Sequence, residues 1–198
     1  MPTILTYALT SLSSVKDALD ITNSDDDDLL INLINASTEM IENYCGRRFT
    51  ETTYTNEIYD GVASKVLLLR NWPVSSIGSL QIRSGDFDSP SWDTIDSGLW
   101  TLLTDGGHDR GAVYLDAGFR EFPYAYRITT YTAGYNPIPD DLRQACEMLV
   151  TYLFNERKSK GIKSQTLGRY SVTFSDPLKK IEDSGASALL AAYHEPTI

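Results

Sequence analysis

The apolar residues of this chain change period twice, and no other feature constrains its fold as strongly. From residue 12 to 45 they recur every three or four positions. From 52 to 131 they fall in short β-rich runs between turns, and from 142 to 153 the helical spacing returns. Such a chain is expected to fold as α+β, with helices on either side of a β-rich segment.

The first helix is read from Leu12, Val15, Ala18 and Leu19, with Ser11 as its cap and an end near Asp20. A second stripe joins Leu30, Leu33, Ile34, Ser37, Met40, Ile41 and Tyr44. Four aspartates, Asp25 to Asp28, precede it and pose a choice between metal ligands and a helix start. An EF-hand loop alternates its ligands around a central glycine and ends on a glutamate, and that pattern is missing. Acids in a first helical turn are favoured by the helix dipole, by ~0.3–1 kcal/mol each. The run therefore reads as a helix start with Asp25 or Asp26 at the N-cap. Glu39 and Glu42 are expected on the wet face, and Gly46 just past the helix end.

Runs at 52–59, 65–70, 77–83, 99–103, 112–115 and 124–131 alternate with turn signals such as Asp60-Gly61, Asn71-Trp72-Pro73 and Asp105-Gly106-Gly107. They predict a small antiparallel sheet or barrel-like insertion. Pro139 and Asp140-Asp141 then open a third helix through Leu142, Ala145, Cys146, Leu149, Tyr152 and Leu153, with Gly161 at its exit. Alternation returns around Gly168, with Tyr170, Val172 and Phe174 on one side, before Asp176-Pro177 breaks it. A short last helix is expected over 186–193, followed by a loose tail. The whole is a three-helix bundle core with a β-rich insertion between the second and third helices and a short C-terminal β element and helix. Its segments are 1–49, 50–135, 136–161 and 162–198, forming one composite domain.

Chemistry finds little footing in this pattern. Only two histidines are present: His108 in a glycine-rich turn and His194 near the end, both read as bystanders. The phosphate-loop spacing G-x-x-x-x-G-K-[ST] is absent, and no pair of carboxylates stands out. Cys45 and Cys146 lack any C-x-x-C spacing and read as buried free thiols rather than a disulfide. No catalytic residue, cofactor or metal is expected. A net charge of -10 argues against gripping a phosphate backbone. Lys158, Lys160 and Lys163 read as a solvated helix end, and Trp72-Pro73 as a packing plug. Neither a signal peptide nor a membrane span is read from the sequence, so a soluble protein made in the cytoplasm is expected.

The order of these pieces has a precedent. SLSSVKDALDI at 11–21, the acidic start with Leu29-Leu30, and IENYCGRRF at 41–49 resemble tailed-bacteriophage head–tail connector proteins, the adaptor or head-completion family. So do LRNWPV at 69–74, YTAGY at 131–135, PDDL at 139–142 and GRYSV at 168–172. The resemblance implies a structural protein of the virion with no catalytic residues. It would form a ring, commonly of twelve copies, below the portal, extending the DNA channel and docking the next head-completion or tail protein. DNA would pass through without being specifically bound. Ile162, Leu167, Arg169, Tyr170, Val172 and Phe174 are the implied portal-contacting residues, and Arg47 and Arg48 are candidates for contacts between subunits. Two other readings stay open: a carbohydrate- or protein-binding module using the β insertion, and an acidic hydrolase.

Overall fold

The computed structural model describes residues 2–86, 88–103, 111–159 and 177–194. In chain order the elements are α1 (Leu12–Ala18), α2 (Asp27–Cys45), β1 (Thr52–Tyr59), β2 (Val66–Leu68), β3 (Val74–Ile77), β4 (Leu80–Gly85), β5 (Pro90–Thr94), β6 (Trp100–Leu103), β7 (Ala112–Leu115), β8 (Tyr126–Ala133), α3 (Asp140–Ser159), α4 (Pro177–Asp183) and α5 (Ala186–Leu190). The chain is thus mixed helix and sheet, in keeping with α+β. It divides into two units: a helical one from residues 1–47 and 137–198, and a sheet one from 48–136.

In the helical unit, α3 packs against α1, α2 and α5. The α2 stripe lies slightly around the helix from where the sequence places it: Leu30, Ile34, Ser37, Thr38, Ile41, Glu42 and Cys45 are buried, while Leu33, Met40 and Tyr44 are half-buried. Glu42 is therefore a correction, being only 8% exposed instead of on the wet face; Glu39 is exposed as expected. α3 contributes Leu142, Ala145, Cys146, Leu149, Val150 and Phe154 to the core. Each fully buried Leu or Ile contributes about 1.5–3 kcal/mol over its exposed state.

The helix ends follow local chemistry. The Ser11 side chain accepts the Ser14 N–H at 3.1 Å, capping α1. Asp26 holds the N-cap position of α2, yet its side chain makes no capping bond. The acids instead reach neighbouring elements: Lys16 Nζ donates to Asp27 Oδ1 at 2.7 Å, and Arg157 to Asp26 Oδ1 at 3.1 Å. Gly46 ends α2 in the left-handed conformation at φ 70°, which a residue with a Cβ adopts at a cost. Among the described residues no cluster of three His, Cys, Asp or Glu is arranged to hold a metal ion, and no helix is long and apolar enough to cross a membrane. Asp176-Pro177 is followed by a helix, because Pro177 occupies a first-turn position where its missing N–H costs nothing. The expected helix over 186–193 is α5 continued by a 3-10 turn at Ala191–Tyr193.

The sheet unit holds two antiparallel sheets. The first runs β1-β8-β4-β5, with β3 also paired to β8. The second runs β2-β7-β6. β1 and β7 span the residues read from the sequence; β3 and β5 were not legible there. Side chains from both sheets fill one core, including Leu67, Leu80, Val113, Tyr126, Ile128 and Tyr131.

Candidate functional site

A buried polar cluster organises one end of β1. Tyr59 and Tyr131 place their phenol oxygens 2.5 and 2.8 Å from Glu57 Oε2. Asn71 Nδ2 reaches the Tyr131 oxygen at 3.5 Å, while Asn71 Oδ1 accepts the Arg48 N–H at 3.3 Å. The Arg70 guanidinium lies over the Tyr59 ring at 4.8 Å and donates to the Ile58 carbonyl at 2.9 Å. Burial, helped by Glu57, raises both phenols, Tyr131 to about 12. Two protonated phenols and one accepting carboxylate make a fastening. No nucleophile with a base to activate it is among them. The cluster ties β1, the turn at Asn71 and β8 together.

Two shallow grooves flank other elements. In the sheet unit, a groove of about 410 Å³ runs between Arg83 on β4 and Arg120 before β8, with Phe122 at its rim. Phe122 and Tyr124 are 52% and 55% exposed. Their loop is held from below: Gly61 N–H donates to the Phe122 carbonyl at 2.8 Å, Tyr124 N–H to Asp60 Oδ1 at 2.7 Å, and Arg120 N–H to the Tyr126 oxygen at 2.7 Å. In the helical unit, a groove of about 430 Å³ is lined by Glu147, Met148 and Tyr152 of α3 and by Asp183 at the end of α4. Both grooves are open to solvent.

The residues singled out from sequence are placed as follows. Arg47 is 4% exposed, with its N–H donating to the Glu42 carbonyl, and Arg48 is exposed. Ile162, Leu167, Arg169, Tyr170, Val172 and Phe174 lie outside the described residues, as do His108, Lys160 and Lys163. His194 is exposed and meets the Tyr44 ring edge-on at 4.3 Å. Trp72 is half-buried. Cys45 and Cys146 are free and buried, and burial pushes their thiols up to about 11 and about 12. Sequence reasoning missed both grooves. The exposed Phe122 and Tyr124, two residues apart in a turn-rich stretch, were the only signal.

Residues 8–177 match the family described as head completion protein. This chain belongs to the head completion protein family. It is accordingly a structural protein of a phage-type particle and not an enzyme. No curated protein matches the sequence. Among solved structures, the chain is similar to one in the neck of a native gene transfer agent particle computed with C12 symmetry. The identity is 16%, the TM-score 0.61, and coverage 100% of this chain and 94% of that one. It is also similar to a chain in the neck of the empty particle computed with C6 symmetry, at 16% identity and TM-score 0.57, covering 100% and 95%. At this identity the likeness establishes a shared fold.

Proposed function

We propose that this head completion protein assembles as a ring under the portal at the head–tail interface of the virion, extends the DNA channel, and docks the next head-completion or tail protein. The observation that carries this reading is the family match across 8–177, supported by a fold shared along the whole chain with proteins of a symmetric particle neck. Twelve copies is the proposed number. Closed rings need two different faces on each subunit, and a chain with helical and sheet units can offer them. In this reading α1, α2 and α3 act as a three-helix bundle core and the sheet unit as an insertion that widens the contact surface. The net charge of -10 would keep duplex DNA from adhering to a passage it must traverse.

The proposed portal contacts are Ile162, Leu167, Arg169, Tyr170, Val172 and Phe174, a segment whose alternation suits addition as a strand to a partner sheet. Of the proposed subunit-contact pair Arg47 and Arg48, Arg48 is exposed for direct contact, while Arg47 is buried in its own chain. Native mass spectrometry of the purified chain with and without portal protein tests the reading. A portal-dependent oligomer supports it. A compact monomer indifferent to portal, or binding of glycans instead, would count against it. Normal portal docking after deletion of 164–198 would remove the portal-contact assignment alone.

A further inference from the structure

The two grooves differ in sign. The sheet-unit groove has Arg83 and Arg120 on its walls and Glu121 as its one acid. At its rim the Arg83 guanidinium lies 5.0 Å from the Phe122 ring centre, and Tyr124, two residues further along the same loop, is exposed as well. Arg120, Phe122 and Tyr124 are exposed on a fixed loop and Arg83 is half-buried beside it on β4; arginine and aromatic side chains are enriched among interface anchors. The loop is fixed as well as exposed: a Cβ at Gly61 would lie 1.6 Å from the Arg120 carbonyl oxygen, so the two backbones are in close contact. The helical-unit groove has Glu147 and Asp183 on its walls and no cation. One oxygen of Glu147 is engaged by the Thr10 hydroxyl at 2.8 Å, while Asp183 is exposed. Tyr152 also lines this groove, and its phenol is raised by burial and then by the charges of Asp183 and Glu156.

Copies of a chain carrying -10 repel one another on average, so self-association needs a local patch of the other sign. We propose that the ridge of Phe122 and Tyr124 with Arg83 and Arg120 on one copy seats in the Glu147–Asp183 groove of the next copy, the arginines facing the carboxylates and the rings lying on Met148 and Tyr152. The contact is heterologous, since the two faces differ, and a heterologous contact builds a ring where the rotation from copy to copy closes. This inference rests on the ring reading above and names the surfaces that would build it.

The test is charge reversal in the full-length protein: Arg120→Glu, Asp183→Arg, and the two combined in one chain, followed by sedimentation across a concentration series. Each single reversal should weaken self-association roughly tenfold or more, and the combined variant should recover most of it. Thermal unfolding of each variant shows whether it is folded, and Tyr124→Ala, which alters no charge, provides a second probe and should also weaken association. Single reversals that associate as the wild type does would overturn this contact while leaving the ring intact. Folded single variants that fail to associate, with no recovery in the combination, would also overturn it. A wild-type chain that never associates, in solution or with portal, would sink the ring reading together with the contact.

Discussion

Glu57 accepts from two phenols in a site where its own side chain is only 19% exposed, so removing it leaves both donors without their shared acceptor. Glu57→Ala is expected to cost about 1–3 kcal/mol in chemical denaturation, and Tyr131→Phe about 1 kcal/mol. A change below the resolution of the measurement would mean the cluster is not a fastening. The same burial sets a pH response. Burial pushes the Cys146 thiol up to about 12 from its ordinary 9.0, and the Tyr131 phenol up to about 12 from 10.0. For both, the folded state holds its proton longer than the unfolded state. Their stabilising contribution is therefore complete below pH 9 and is lost as pH rises from 9 toward 12. Thermal midpoints recorded from pH 8 to 12 should fall across that window. At pH 8 a thiol reagent should modify Cys45 and Cys146 only after denaturation, and rapid labelling of the native chain would contradict their burial.

At the scale of elements, α2 depends on a continuous stripe and the Phe122 loop on a single glycine. Ile34→Ala should cost ~2–5 kcal/mol, since Ile34 is fully buried in α2. Gly61→Ala should displace the Phe122 loop, seen as loss of hydrogen-exchange protection over 60–64 and 118–125, because its Cβ would collide with backbone rather than with a side chain that can swing away. Unchanged protection would contradict the close approach. α1, α2, α3 and the last helix were readable from sequence because apolar residues recur there at helical spacing, and that signal is local; α4 was not, because Asp176-Pro177 reads as a break when Pro177 in fact opens a helix. β1 and β7 were readable because their β-rich runs are bounded by turn residues. β5 was not: Pro90-Ser91-Trp92-Asp93-Thr94 has weak strand character, and it becomes a strand by pairing with β4 at the sheet edge. β3 likewise owes its state to β8. Glu42 was misplaced because a helical stripe fixes a face only to within part of a turn. The grooves were invisible for a related reason. Arg83 and Phe122 are 39 positions apart, and only the β4–β8 pairing brings them to one surface.

As a whole molecule, the chain is a building block whose surfaces matter more than any reactive group. Its charge of -10 predicts that the purified protein leaves duplex DNA unshifted in a gel at micromolar concentration and physiological salt. Salt-sensitive retention of DNA would oppose the view of a channel that DNA merely passes. The family match makes the chain a structural protein of the head–tail region, and self-assembly through two grooves of opposite sign is the proposal built on it. The most direct measurement is electron cryomicroscopy of particles that carry this chain. A closed ring of it is expected directly below the portal, coaxial with the channel; particles in which the chain lies elsewhere, or occurs there as isolated copies, would contradict the proposed role.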